Sequence, residues 1–361
     1  MASLGGPRDA MALDIGSSSL KAAQVKRGRG GYSVGRTAVR PLPEGLVEDG
    51  QVIDAEAVAS EIKRMWREEH LPGGRVRLGV ANSQVSVRTL ELPRMDDADE
   101  LRAAVEFEAG EVMPIPLHEA VLDFQPLPPL EGDPQDQQRV IVVAAQREMI
   151  ERLVHTLHGA GLRPAGVDLE AFALMRALLP AATPAPERDA GAEVVCHVGN
   201  SHTNVVVSVN RQCEFVRLVP FAGAQLTAAV ARGTDVSMEE AEALKVACGL
   251  LGDIPEGWNA DRVREVRRAL AFGARPLVEE VRRSLDFYRS QPSARPIERI
   301  VLAGGTSLCA GLDRYLQQAL SIPVLVGDPL SNTADRGGVG AELAAYADVA
   351  LGLALTEEAP R

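Results

Sequence analysis

The sequence predicts an α/β protein that folds as two related lobes around a cleft. The first observation is a repeat, because two apolar strands joined by a turn of small residues occur as MALDIGSSSLKAAQV and again as VVCHVGNSHTNVVVSV. Predicted helices follow each of these strand pairs, which gives two α/β halves. The halves are separated by residues 180–191, an Ala- and Pro-rich stretch without periodicity that indicates a linker.

Apolar patterning places the elements of the first half. The predicted strands are 11–15, 20–25, 75–82, 85–92, 121–127, 139–145 and 164–168. The predicted helices are 55–69, 96–111, 147–160 and 170–179. The second of these helices begins at Asp96 or Asp97, since a side-chain oxygen there caps free N–H groups.

The second half repeats this organisation with a longer helical part. Its predicted strands are 193–198, 204–210, 213–220, 299–302 and 324–326. Its predicted helices are 221–232, 237–248, 311–320 and 341–355, and 262–290 is interpreted as two further helices.

Composition excludes several classes of protein. The 38 basic and 50 acidic residues give a net charge of −12, which argues against general nucleic-acid binding. The four cysteines stand far apart, which excludes a zinc ribbon or disulfide framework and predicts free buried thiols. No apolar run approaches the roughly 18 residues of a membrane span, and no signal peptide is visible. We therefore expect a cytoplasmic protein that reaches a membrane only through a partner.

The turn DIGSSSLK, residues 14–21, is the sharpest local motif. Gly16 lets the backbone approach a ligand, and hydroxyl residues expose donors to phosphate oxygens. These hydroxyl residues are Ser17, Ser18 and Ser19. Lys21 can reach the same phosphates as a point charge, and Asp14 can position Mg²⁺ through water. The alternative is an ordinary serine-rich hairpin with a surface lysine.

Three later motifs contain residues that could contact other parts of the same ligand. Gly199 and Thr203 lie in the equivalent hairpin of the second half, where a plain β-turn is the alternative. Glu242 and Lys245 lie one helical turn apart and could contact ribose and phosphate. The alternative is a solvated ion pair, which is the more common role of two such residues on a helix. A final loop could place its backbone against adenine or a phosphate. It consists of Gly304, Gly305, Thr306 and Ser307.

In this order, the motifs resemble the first phosphate loop, second phosphate loop, ribose helix and adenosine motif of actin-like ATPases. Over residues 11–355 the sequence is similar to the family of type IV pilus assembly proteins known as PilM. The segments that carry the resemblance are ALDIGSSSLKAAQV, LRAAVEFEAGEVMPIPLHEAVLDFQPL, VDLEAFALMRAL, EEVRRSLDFYRSQ and LAGGTSLCAGLDRYL.

The resemblance implies a duplicated actin-like (ribonuclease H-like) fold with an inserted 1C subdomain of the FtsA type. The implied parts are a first core of 10–38 and 149–180 with helix 341–355, an insert of 39–148, a second core of 192–225 and 299–340, and a subdomain 2B of 226–298.

The resemblance also implies ATP and Mg²⁺ between the lobes, with Asp14 and Glu170 as the catalytic residues. Asp168 is the alternative to Glu170 as the acid that orients water, and an N-cap role suits Asp168 equally well. The implied partner is the N-terminal cytoplasmic tail of a PilN-like inner-membrane protein, held in a groove near the first lobe and its insert. Pilus motor or secretion-system components and further copies of the chain are additional implied partners.

One residue departs from the family pattern. The second phosphate loop of the family reads Asp-x-Gly, whereas here His197 precedes Val198-Gly199. A histidine is a poor ligand for Mg²⁺ and is expected to be largely neutral at pH 7. We therefore expect a nucleotide-binding scaffold with slow or absent hydrolysis, and the alternative is an active, polymerising ATPase of the FtsA type.

Overall fold

The structure is a computed structural model that describes residues 9–28, 30–129, 134–180 and 191–355. Its strands are β1 Asp9–Ile15, β2 Ser19–Gly28, β3 Gly31–Pro41, β4 Val47–Glu48, β5 Gln51–Val52, β6 Arg75–Val80, β7 Val85–Pro93, β8 Ala120–Pro126, β9 Gln137–Gln146, β10 Arg163–Leu169, β11 Ala192–Val198, β12 Thr203–Val209, β13 Gln212–Val219, β14 Ile297–Ala303 and β15 Val324–Val326. Its α-helices are α1 Ala55–Glu68, α2 Ala98–Val112, α3 Arg147–Gly159, α4 Glu170–Leu178, α5 Gly223–Thr234, α6 Met238–Cys248, α7 Ala260–Arg289, α8 Leu312–Leu320, α9 Ala341–Tyr346 and α10 Asp348–Ala354. Short 3-10 turns occur at Leu117–Glu119 and Gly305–Leu308.

Two five-stranded sheets with the same plan form the frame of the molecule. The first has the order β3-β2-β1-β6-β10 and the second has the order β13-β12-β11-β14-β15. In each sheet the central strand is antiparallel to the following hairpin strand and parallel to the strand on its other side. The predicted duplication is therefore confirmed. We call the first sheet with α1, α3, α4 and α10 the first lobe, and the second sheet with α5 to α8 the second lobe.

The strands of the second lobe illustrate why these sheets form. Every residue of β12 is buried, and the strand is dominated by β-branched valines. A strand covered on both faces is a near-continuous apolar run, whereas a half-exposed strand alternates. In the first lobe, α10 presses against α4 so closely that a Cβ at Gly352 would lie 2.0 Å from the carbonyl oxygen of Ala173. Glycine is thus required at this helix crossing.

A third sheet, β7-β9-β8, forms a separate layer with α2, and we call this unit the insert. It has its own apolar core, which includes Leu90, Val105 and Val142. The insert expected at 39–148 is wrong in its bounds. The segment that contains α1 and β6 belongs to the first lobe, because β6 pairs with both β1 and β10 and α1 buries Ile62 and Met65 in the first-lobe core.

Two helix predictions are also wrong. The segment interpreted as two helices is the single 30-residue helix α7, which contains Pro276. A proline costs an interior helix about 3 kcal/mol, but the buried stripe continues on both sides of it, from Leu270 to Leu277 and Val281. The final predicted helix is divided at Ala347 into α9 and α10.

Strand β3 was not among the predicted strands, although it pairs with β2 along most of its length. The linker prediction falls largely on residues 181–190, which lie outside the described residues. All four cysteines are buried and free, as expected. None of the helices in the described part of the chain is long and apolar enough to cross a membrane.

A buried ion pair joins the insert to the second lobe. Arg139 on β9 donates to both carboxylate oxygens of Glu214 on β13, at 3.0 and 2.9 Å. A second guanidinium nitrogen donates to the side-chain oxygen of Gln212 at 3.2 Å. Less than a tenth of either charged side chain is exposed. The insert therefore bridges the two lobes, on the side of β13 away from β12.

Candidate functional site

A cleft of about 400 Å³ lies between the two lobes, a volume in the usual range of small-molecule sites. Six separate segments of the chain line it. The predicted site residues that it brings together are Asp14, Gly16, Ser17, Ser18, Ser19, Lys21, Glu170, Gly199, Glu242, Lys245, Gly305 and Thr306.

The hairpin between β1 and β2 supplies a cation to this cleft. Lys21 Nζ lies 3.1 Å from Asp14 Oδ2, and the two residues face each other across the strand pair. Burial lowers the pKa of Lys21, but the charge and hydrogen bond of Asp14 outweigh this effect and raise it above its ordinary value. A Cβ at Gly16 would lie 2.4 Å from the ammonium nitrogen, so glycine leaves the room that Lys21 occupies.

The equivalent hairpin between β11 and β12 differs from its prediction at Thr203. This side chain is fully buried and donates to the carbonyl oxygen of Phe221 at 2.6 Å, so it supports the backbone and does not line the cleft. The turn itself supplies the lining through Asn200, Ser201 and His202. Asn200 Nδ2 donates to Ser17 Oγ at 3.2 Å, which connects the two hairpin turns directly.

Glu170 is a second acid of the first lobe, besides Asp14, that lines the cleft. Asn204 Nδ2 donates to its Oε2 at 3.2 Å, and His202 Nε2 lies 3.8 Å from the same oxygen. Burial alone would raise the pKa of Glu170, but His202, His197 and Lys21 together hold it below its ordinary value. Asp168 instead pairs with Arg176, so the geometry favours Glu170 over Asp168 as the acid at the cleft.

His197, at the end of β11, is held by Asp348 of α10. His197 Nε2 lies 3.3 Å from Asp348 Oδ1, and the other carboxylate oxygen accepts the N–H of Gly304 at 2.9 Å. Burial lowers the pKa of His197, but Asp348, Glu170 and Asp14 raise it above its ordinary value. The sequence did not reveal these acidic neighbours, which favour the charged form of the ring.

The helix motif at Glu242 and Lys245 is more buried than a solvated ion pair. Lys245 is buried and its Nζ donates to Glu242 Oε2 at 2.6 Å and to Thr227 Oγ1 at 3.0 Å. Only the Glu242 side chain is half-exposed. The Glu242 carboxylate therefore lines the cleft, and the hydrogen bond from Lys245 holds it in place.

The strand-end loop after β14 divides into lining and supporting residues. Gly305 and Thr306 line the cleft, and Thr306 Oγ1 donates to the carbonyl oxygen of Gly199 at 2.8 Å. Gly304 and Ser307 do not line it. Gly304 has φ 84° and a Cβ there would lie 2.5 Å from the carbonyl oxygen of Val198, so its role is to bring the two loops together.

Several residues at the site were not among the predicted site residues. Asn200 and His202 carried a signal, since they lie in the repeated turn. Glu342 and Tyr346 carried none, because only the packing of the late helix α9 brings them to the cleft. Asp348 of α10, which holds His197 and Gly304 without lining the cleft, carried none either.

The side chains fit a phosphate-bearing ligand better than a metal ion. The described residues contain no group of three or more His, Cys, Asp and Glu side chains that could hold a metal. Asp14, the predicted Mg²⁺ holder, is already engaged with Lys21. The donor set therefore does not fit a protein-held Mg²⁺, although Mg²⁺ can also be carried by phosphates and water.

Comparison with known proteins identifies the family. A family model described as type IV pilus assembly protein PilM matches residues 12–358. The chain belongs to the PilM family. In a solved PilM-PilN type IV pilus biogenesis complex, a chain with 30% identity matches with a TM-score of 0.78, covering 96% of this chain and 97% of that chain.

More distant structures share the fold of this PilM-family chain. The ethanolamine utilization protein EutJ from Carboxydothermus hydrogenoformans is 16% identical with a TM-score of 0.56, covering 97% of this chain and 90% of EutJ. MreB5 of Spiroplasma citri bound to ADP is 12% identical with a TM-score of 0.52, covering 96% of this chain and 94% of MreB5. Both likenesses agree with the two-lobe actin-like fold predicted for the PilM-family chain.

Proposed function

We propose that this chain is an actin-like, ATP-binding scaffold of the type IV pilus inner-membrane assembly complex. It binds ATP in the cleft between the lobes and hydrolyses it slowly or not at all. It also binds the N-terminal cytoplasmic tail of a PilN-like inner-membrane protein. Through that partner it is placed at the inner face of the cytoplasmic membrane.

The convergence of six separate segments on one cleft supports the nucleotide part of the proposal. Lys21 supplies a positive charge for phosphate, and the Gly16 to Ser19 turn supplies hydroxyl and backbone donors. Glu242, fixed by Lys245, is placed to accept ribose hydroxyls. Each lobe contributes part of the set, so a nucleotide would hold both lobes together.

We expect slow hydrolysis because the carboxylates of Asp14 and Glu170 already make other contacts in the cleft. A water-activating carboxylate must be free to accept a proton or to orient water. Glu170 instead accepts a hydrogen bond from Asn204 and lies beside His202. Asp14 is paired with Lys21, and the second lobe has His197 in place of a carboxylate.

The match to the PilM-PilN complex over nearly the whole of both chains supports the partner. A suitable groove of about 240 Å³ lies where the first lobe, the insert and the second lobe meet. It is lined by Val85 and Val87 of β7 and by Val216 and Leu218 of β13. In the described part of the chain, each of these strands is at the edge of its sheet. An extended peptide could therefore gain backbone hydrogen bonds together with apolar pockets.

Calorimetric titration of Mg-ATP tests the nucleotide site. We expect Lys21→Ala to weaken binding about tenfold or more, because a buried charge-assisted phosphate contact is lost. Lys63→Ala, at an exposed lysine of α1, should bind like the wild type. Absence of heat from the wild-type protein would contradict the nucleotide part of the proposal.

Titration of a synthetic N-terminal tail of the PilN-like protein tests the partner site. Val87→Asp should abolish binding because it places a charge in the apolar groove. Val121→Asp, at an exposed position of the same insert sheet, is the matched control, and circular dichroism verifies that both variants are folded. Equal binding by both variants would remove this groove as the site.

Phosphate release and sedimentation separate the scaffold from the alternative of an active, polymerising ATPase of the FtsA type. A scaffold should release phosphate at a rate close to the buffer background and should not sediment on addition of ATP. Robust release that Asp14→Ala abolishes, or pelleting that requires ATP, would favour the ATPase.

A further inference from the structure

The two most exposed large apolar side chains of the described residues are phenylalanines on different units of the molecule. Phe107 of α2, in the insert, has 71% of its surface exposed, and Phe272 of α7, in the second lobe, has 68%. Both helices already bury their opposite sides in apolar cores. Because aromatic side chains and arginine are enriched where proteins meet, the charges around each ring indicate what would cover it.

Carboxylates surround the ring of Phe107. Glu100 precedes it by seven residues and Glu111 follows it by four, so all three side chains lie on one side of α2. Both glutamates are exposed, and in the described part of the chain neither forms an ion pair. Arg102 is the one basic residue of α2, and it lies over the ring of Phe124, 5.3 Å from its centre. We call Glu100, Phe107 and Glu111 the acidic face.

The acidic face points away from both lobes. Alternate residues of β9 separate the two sides of the insert sheet, since Val140 and Val142 belong to the core that contains α2. Ile141 and Ala145 lie on the other side of the sheet and belong to the core of the first lobe. Helix α2 therefore forms the outer layer of the insert, and its exposed side is open to a partner.

Arginines border the ring of Phe272. Arg268 lies one turn before it and Arg275 one turn after it, and both are exposed. The guanidinium of Arg275 lies over the ring, 5.6 Å from its centre. Neither arginine forms an ion pair with any described residue, and the acids Glu265 and Glu279 lie one turn further out at the two ends. We call Arg268, Phe272 and Arg275 the basic ridge.

We infer that the acidic face of one copy of this chain docks on the basic ridge of a second copy. The exposed carboxylates of the first then meet the unpaired guanidinium groups of the second, so that the two surfaces are complementary in charge. Arginine also stacks on aromatic rings, which allows the ring of Phe107 to pack against the ridge. Every copy carries both surfaces, so each contact leaves one of each free, and association continues into an open chain or closes into a ring.

This contact goes beyond the proposed function and does not rest on it. Neither surface lines the cleft between the lobes or the groove assigned to the partner tail. Titrations of ATP and of the tail therefore report on the proposed function whether or not the copies associate.

Sedimentation velocity without nucleotide tests the inference. At about 100 μM we expect the wild-type protein to sediment as more than one chain, and to dissociate as salt screens the charges. Phe107→Arg places a cation against the basic ridge, and Phe272→Glu places a carboxylate against the acidic face, so each variant alone should stay monomeric. Leu325→Ala, at an exposed apolar residue of β15 outside both surfaces, should associate like the wild type.

An equimolar mixture of the two variants is decisive. Phe107→Arg keeps its basic ridge and Phe272→Glu keeps its acidic face, so the mixture should form a dimer with one copy of each and nothing larger. A monomeric wild type, a mixture that stays monomeric, or a single variant that associates like the wild type would each overturn the inference. Circular dichroism verifies folding. Should either variant not fold, Phe107→Ala and Phe272→Ala replace the pair, and each must weaken association at least about tenfold.

Discussion

The two lobes share one sheet plan but differ in what has been added to it. The first lobe receives the insert, a second sheet that follows β6, whereas the second lobe receives the long helical layer of α5 to α7. At the ends of the central strands the difference becomes chemical, with Asp14 in one lobe and His197 in the other. The frame thus sets where side chains meet, and the residue at each strand end sets what they bind.

The largest expected effect concerns the attachment of the insert to the second lobe. Arg139→Ala leaves Glu214 buried without this ion-pair partner. We expect the free energy of unfolding, measured in urea, to fall by about 3–5 kcal/mol. Arg88→Ala, an exposed arginine on the neighbouring β7, is the control and should change stability by less than about 0.5 kcal/mol. A loss below about 1 kcal/mol for Arg139→Ala would show that the insert is held by other contacts.

The two turn glycines give a direct comparison of the hairpins. An alanine Cβ at position 16 would lie 2.4 Å from Lys21 Nζ and displace it from Asp14, so Gly16→Ala should weaken ATP binding about tenfold. At position 199 the atom nearest to an added Cβ is the carbonyl oxygen of His202 at 3.1 Å, a longer distance than the 2.4 Å at position 16. We expect Gly199→Ala to weaken binding only about threefold. Calorimetry that gives the reverse order would overturn this ranking of the hairpins.

The titratable groups of the two lobes should give opposite pH dependences of stability. The pKa of His197 is raised, so its contribution is fully present below pH 6.5 and is lost as the pH rises through the folded-state value. The pKa of Glu170 is lowered, so its contribution is present above pH 4.5 and is lost as the pH falls through the folded-state value.

Unfolding at several pH values checks these two directions. His197→Gln should remove the loss of stability that occurs as the pH rises. Glu170→Gln should remove the loss of stability that occurs as the pH falls. His118→Gln, at an exposed histidine, is the control for the first variant and should leave the alkaline limb unchanged. Parallel curves for wild type and His197→Gln above pH 6.5 would contradict the role of the Asp348 contact.

The smallest effect is expected where the two turns touch. Asn200→Ala removes the exposed hydrogen bond to Ser17 Oγ, and we expect a loss of about 0.5–1 kcal/mol in the free energy of unfolding. Differential scanning calorimetry with and without ATP measures it. A loss above about 2 kcal/mol would mean that this contact, and not the ligand, holds the cleft together.

The sequence predicted the parts of the molecule that depend on local pattern. The repeated strand pairs, the glycine and serine turn and Lys21 were visible because strand alternation and turn chemistry are local properties. The continuity of α7 through Pro276 was not, because tertiary burial decides it. Thr203 was assigned to the cleft on its position in the repeat, yet its side chain turns to Phe221.

Residues distant in sequence account for most of what was missed at the site. Asp348 comes more than a hundred residues after His197, and no local pattern connects them. Their contact exists because α10 packs against β1 and α4 while its first residue reaches the second lobe. The raised pKa of His197 could not be predicted without that contact.

The placement of α10 has a consequence for synthesis. All five strands of the second sheet lie within residues 192–326, so the second lobe can form as one continuous unit. The first lobe begins earlier on the chain, but α10, whose Gly352 closes against Ala173, is made after every one of those strands. A chain emerging from the ribosome therefore completes its second lobe before its first, and apolar surface on β1, β2 and α4 stays uncovered in the meantime.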